Sequence, residues 1–179
     1  MSDDRREDHE REDRGEPFRI LFVCTGNTCR SPMAEGIARE ILRERGWNHV
    51  EVRSAGVAAF PGSPISGGAL RAAGRHGVSL EDHRSTPLTG ELVADSDLIL
   101  TMSAGHLRAL AGSGAEERAA LLPVFARGER EIRPGDGVPD PIGGDDELYE
   151  ATYRELRGLI EASLDRLVPI LSSDPSGAG

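Results

Sequence analysis

The chain contains no lysine; all 21 of its basic residues are arginine. A biased genome explains that choice more simply than a function does. It has only two cysteines, Cys24 and Cys29, close together in sequence. A disulfide framework is thereby excluded, and a reducing cytoplasm is the expected compartment. Positive charge is not in excess either, the formal net charge being −10. Nucleic acid and anionic membrane surfaces are therefore not expected partners. No apolar run is long enough to span a bilayer, and the first residues are charged rather than signal-like. No cluster of histidine, cysteine and carboxylate has a metal-site spacing, so neither metal nor cofactor is expected.

What remains reads as one domain with two tails. A chain of 179 residues can bury a single adequate core. Residues 1–16 hold eight acids and four arginines without apolar periodicity, and are expected to be disordered. Residues 172–179 are small, polar and proline-containing, a frayed end. Between them, apolar runs at 19–24, 50–54, 97–102 and 121–125 predict strands. Helical patterns follow or separate them at 32–45, 66–76, 89–94, 104–111 and 146–171. The first helix aligns Met33, Ile37, Ala38, Ile41 and Leu42 on one face. The last aligns Tyr149, Tyr153, Leu156, Ile160, Leu164 and Leu167 in the same way. Such alternation predicts an α/β fold, a parallel sheet with helices on both faces and ligands at the carboxyl ends of its strands.

At the end of the first strand stands VCTGNTCRSPMAE, residues 23–35. A helix N-terminus carries unpaired N–H groups and the positive end of the helix dipole, so it binds anions unaided. Thr25, Gly26, Asn27, Thr28, Cys29 and Arg30 are expected to wrap a phosphate-sized nest, with Gly26 taking the left-handed turn. Ser31 suits an N-cap, and Pro32 suits the first helical position. The field there favours the thiolate of Cys24, the nucleophilic form. Arg30 would close on two phosphoryl oxygens and follow their charge in the transition state. Asn27 reads as a side chain that bonds the loop to itself. A leaving group needs a proton, and the stiff, glycine-bordered run 137–144 offers Asp140; by composition Asp136, Asp145 and Asp146 are rivals.

The run resembles the phosphate-binding loop of the low-molecular-weight protein tyrosine phosphatase family, V-C-x-G-N-x-C-R-S-P. VRSAGV at 52–57, DLILTM at 97–102 and DPIGG at 140–144 continue the resemblance in the family's order, over about 18–171. The resemblance implies four parallel strands in a flavodoxin-like arrangement. It implies that Asp140, ahead of a proline, protonates the leaving group and then activates water against a phosphocysteine on Cys24. It implies that Ser31 bonds the thiolate, and that Ser54 and His83 brace the loop through its asparagine. Cys29 reads equally as a packed thiol or as a redox partner of Cys24.

Substrate choice turns on Thr28 and Ile142. Phosphotyrosine members usually carry an aliphatic residue at the first position and aromatic walls after the catalytic Asp-Pro. Here Thr28 fills the first position, and Ile142 with Gly143 replaces the walls, removing stacking worth about 0.5–1.5 kcal/mol per ring pair. Thr28 within CTGNTCRSPMAE is similar to the bacterial protein arginine phosphatase branch, where threonine shapes the pocket for a P–N bond. The resemblance thus implies phosphorylated protein substrates, with phosphoarginine favoured over phosphotyrosine; the sequence leaves the oligomeric state open, with a monomer the expectation. An arsenate reductase of this fold relays its disulfide through cysteines outside the loop, which this chain lacks. A sugar-transport phosphocarrier has no need of Arg30 with Asp140, and a non-catalytic phosphoprotein-binding module would lose Cys24 or Asp140.

Overall fold

The computed structural model of the protein describes residues 15–171. The tail expected at 172–179 and most of the one expected at 1–16 lie outside the described residues. Four strands, β1 (Phe18–Cys24), β2 (Val50–Gly56), β3 (Leu98–Thr101) and β4 (Ala119–Leu121), form one sheet in the order β2-β1-β3-β4. Every pairing is parallel, with Cys24 beside Gly56 and Val23 beside Thr101. Six α-helices accompany them among the described residues. They are α1 (Arg30–Arg45), α2 (Gly67–Arg75), α3 (Gly90–Ala94), α4 (Ala104–Arg108), α5 (Leu122–Ala126) and α6 (Asp146–Leu171).

β1 alternates between two cores, as the period of a strand requires. Ile20, Phe22 and Cys24 join the larger core with the apolar faces of α1, α2 and α6. Leu21 and Val23 point the other way, against Val93, Leu110 and Ala115. Each residue predicted for the α1 and α6 core stripes is buried. With both faces covered, β1 is a near-continuous apolar run, and its polar chemistry begins only where the strand ends. The strand order reverses around β1 and β3, so Cys24 sits at the carboxyl end of a topological switch point.

Three local expectations are corrected. The strand expected at 121–125 ends at Leu121, and residues 122–126 are helical. Proline at the second position of α5 cannot donate to a sheet but fits a helix's first turn. The first helix begins at Arg30 rather than Pro32, with Cys29 as N-cap and no side-chain cap bond. Pro32 is still tolerated, because the first four N–H groups of a helix have no intrahelical partner. The left-handed residue of the loop is Asn27, at φ 55°, and not Gly26. Asparagine tolerates this conformation better than other side chains, provided that something holds it.

Close packing fixes α2 against α6 at Gly68. A Cβ there would lie 2.3 Å from the ring of Tyr149, which is itself buried. Gly68→Ala is expected to destabilise the fold by roughly 1–3 kcal/mol, the usual cost of overpacking. A thermal melt checks this; at about 2–4 °C per kcal/mol for this chain length, an unchanged melting temperature would refute it.

Candidate active site

The loop from Cys24 to Arg30 connects β1 to α1, so the Cys24 thiol and the Arg30 guanidinium stand at opposite ends of one helix-capping turn. Asn27 is fully buried, and bonds from three parts of the chain secure its left-handed backbone. Its Nδ2 donates to Ser31 Oγ at 2.8 Å and to Ser54 Oγ at 2.9 Å. Its Oδ1 accepts from Thr86 N at 2.9 Å, and its carbonyl from His83 Nε2 at 2.7 Å. The structure therefore brings Ser54 and His83 to the asparagine, and extends the reach of Asn27 beyond its own loop. Glu35 gathers both braces: Ser54 Oγ donates to its Oε2 at 3.0 Å, and His83 Nδ1 lies 3.8 Å from the same oxygen. β2 presses on the loop at Gly56, where a Cβ would lie 2.4 Å from Thr25 O and 2.9 Å from Asn27 N. Only glycine permits that approach.

Cys24 Sγ lies 2.9 Å from Ser31 Oγ. Because Asn27 already donates to that oxygen, the serine proton is free to point outward. The sulfur is nearer than the competing Ala55 carbonyl at 3.5 Å. Ser31 is thus placed to donate to Cys24 Sγ rather than acting as the cap expected from its position. Cys29 is a buried free thiol whose Sγ donates to Ser66 Oγ at 3.1 Å and lies 3.5 Å from Tyr149 OH. Thr28 is half-buried beside it, its Oγ1 3.8 Å from Cys29 Sγ and its carbonyl bonded to Ser66 N.

Arg30 is 6% exposed. Its Nη1 donates to Val138 O at 2.9 Å, and its Nη2 lies 3.5 Å from both Thr25 Oγ1 and Asp140 Oδ2. Its Nε is buried with no partner among the described residues. A buried guanidinium N–H left without an acceptor is costly, and an oxyanion held in the nest would supply one. Asp140 is 41% exposed at its side chain, and its Oδ1 accepts from Ile142 N at 3.1 Å. Of the rival acids, Asp136 is bound bidentately by Arg127, whose guanidinium holds its carboxyl below the usual range. Asp146 is held down likewise by Arg71, and Asp145 caps α6 through Leu148 N. Asp140 alone of the four meets Arg30.

Several participants carried no local signal in the sequence. Thr86 bonds Asn27 across the fold, and Glu35 acts on it through Ser54 and His83. His106 reaches Thr25 Oγ1 with Nε2 at 2.8 Å. Phe60, 79% exposed, follows a segment tied to the loop by Val57 N to Cys24 O and Ala58 N to Thr25 O. Ile142 is exposed as well. No helix among the described residues is long and apolar enough to cross a membrane.

The family described as low molecular weight phosphotyrosine protein phosphatase matches residues 19–175. A protein-arginine-phosphatase of Bacillus subtilis (strain 168) is 40% identical over 141 residues, covering 79% of this chain and 91% of that protein. The low molecular weight protein-tyrosine-phosphatase Etp of Escherichia coli (strain K12) is 35% identical over 134 residues, covering 75% and 84%. Among solved structures, the YwlE arginine phosphatase in a mutant form with a phosphorylated active-site serine superimposes with a TM-score of 0.78. It is 35% identical, with 89% of this chain and 99% of that one covered.

Proposed function

Because this chain belongs to the low molecular weight phosphotyrosine protein phosphatase family and is a cysteine-dependent phosphatase, we propose that it hydrolyses phosphoarginine in proteins. Cys24 attacks the phosphorus while the N–H groups of residues 25–30 and the Arg30 fork receive the phosphoryl oxygens. Asp140 delivers its proton to the departing guanidine nitrogen as the P–N bond breaks, leaving a phosphocysteine. It then takes a proton from water as the water attacks phosphorus, the P–S bond breaks and inorganic phosphate leaves. The serine that carries the phosphoryl group in the YwlE mutant supports a covalent intermediate at the corresponding loop.

The carrying observation for substrate choice is Thr28, a half-buried loop residue whose hydroxyl lies 3.8 Å from Cys29 Sγ. The similarity to the Bacillus subtilis arginine phosphatase supports the same reading. Phosphotyrosine is the second reading, favoured by Phe60, whose exposed ring follows the loop-bordering segment and could stack on an aryl group. The two free thiols fit a reducing compartment, and the net charge of −10 fits protein substrates better than nucleic acid. Residues 17–171 constitute the phosphatase domain in this reading, acting as a monomer.

Comparing kcat/KM for a phosphoarginine peptide and a phosphotyrosine peptide tests the choice. The wild type is expected to prefer phosphoarginine, and Thr28→Ile to move the ratio toward phosphotyrosine by roughly tenfold or more. A wild-type preference for phosphotyrosine would reverse the assignment.

A further inference from the structure

His106 takes no part in the scheme above, yet it is buried at 5% exposure within the site. Its place is fixed by α4, where Ser103 Oγ accepts its backbone N–H at 3.2 Å. From there Nε2 meets Thr25 Oγ1 at 2.8 Å, on the residue next to the nucleophile. Its Nδ1 is buried without a partner among the described residues. Burial, and then the Arg30 guanidinium, push the ring down to about 4, with Asp140 pulling the other way. The ring is therefore neutral near pH 7.

A neutral ring can meet this hydroxyl as donor or as acceptor, and the neighbouring Arg30 bears on which. Arg30 can only donate, so at 3.5 Å its Nη2 uses a lone pair of Thr25 Oγ1. Thr25 then has one proton to place. The positive charge of Arg30 favours the tautomer whose bare nitrogen, Nε2, faces that side, against the cost of a buried Nδ1–H with no partner among the described residues; in that tautomer the Thr25 proton goes to Nε2. The result is a one-way chain from Arg30 through Thr25 to His106, in which each bond strengthens the next.

We propose that His106 is a positioning residue for Arg30: it accepts the Thr25 hydroxyl proton and so makes Thr25 the acceptor that fixes one arm of the guanidinium. Val138 O holds the other arm at 2.9 Å. With Nη1 and Nη2 each anchored through one N–H, the unpartnered Nε and the remaining Nη protons are left for oxyanions. The long Arg30–Thr25 contact is of the kind that tightens when substrate binds. The inference rests on the phosphatase reading only for what Arg30 receives.

The test combines affinity for inorganic phosphate by calorimetry, turnover of p-nitrophenyl phosphate, and the nitrogen NMR shifts of the His106 ring. Thr25→Val and His106→Phe are each expected to weaken phosphate binding and lower kcat about tenfold, as loss of one charge-assisted hydrogen bond implies. The double variant should be no worse than the poorer single one, and Thr25→Ser should recover to within about twofold. The ring should carry its proton on Nδ1 with phosphate bound. Losses that multiply, a Thr25→Val with unchanged phosphate affinity, or a proton on Nε2 would each overturn the proposal. Should His106→Phe not fold, the tautomer and the Thr25 variants still decide. A wild type that binds phosphate without turnover would overturn the functional reading alone.

Discussion

Cys24→Ser is expected to reduce turnover of any phosphoryl substrate by roughly 10⁴-fold or more while leaving phosphate affinity within a few-fold of wild type. The two readouts separate because they depend on different atoms. In the proposed scheme phosphate is held by backbone N–H groups and by Arg30, none of which the substitution removes. The chemistry needs a polarisable anion at the strand end, and a hydroxyl at the same place stays protonated near pH 7. Ser31 Oγ, 2.9 Å from the sulfur, can stabilise a thiolate but cannot ionise an alcohol. Steady-state kinetics with a purified variant, beside calorimetry with inorganic phosphate, checks both halves. Residual activity above about 1% of wild type would place the nucleophile elsewhere.

Asp140→Ala carries the second large effect, and its size should depend on the leaving group. A general acid contributes typically 10²–10⁴-fold, and most where the departing atom is a poor anion. For phosphoarginine or an alkyl phosphate the loss of kcat should be about 10³-fold; for p-nitrophenyl phosphate, whose phenolate leaves readily, about tenfold. The fold should not suffer, because the Asp140 side chain is 41% exposed and, among the described residues, its backbone partner is Ile142 N. A plot of log kcat against leaving-group pKa should steepen in the variant. A uniform loss across the series would assign Asp140 to holding Arg30, its neighbour at 3.5 Å, instead of to proton transfer.

What the sequence made legible was local. Cys24, Arg30 and the strand–loop–helix order lie within a dozen residues, and the apolar stripes of α1 and α6 repeat at the helical period. The parallel sheet followed from alternation of strands and helices. The misreadings arose where two local rules competed. Leu121 to Phe125 is apolar enough for a strand, but Pro123 stops the ladder and starts α5. Glycine is the default for a left-handed turn, yet here Asn27 takes it because its side chain has three partners and its carbonyl a fourth. Thr86 and His106 were illegible for a different reason: each meets the loop across the fold rather than along the chain. Glu35 is close in sequence but reaches the loop only through Ser54 and His83. His106 lies in a helix of five residues with nothing in its pattern to separate it from a core histidine.

The braces on Asn27 also bear on the entropy of binding. They reach the loop from 27, 56 and 59 residues away. An anion arriving at the nest therefore meets N–H groups whose ordering was completed when the sheet and the 83–86 segment came together. The loss of freedom that a floppy loop would impose on each encounter is moved into folding, where it occurs once per molecule. In a chain of this kind, catalytic readiness and global stability are two readings of one set of hydrogen bonds.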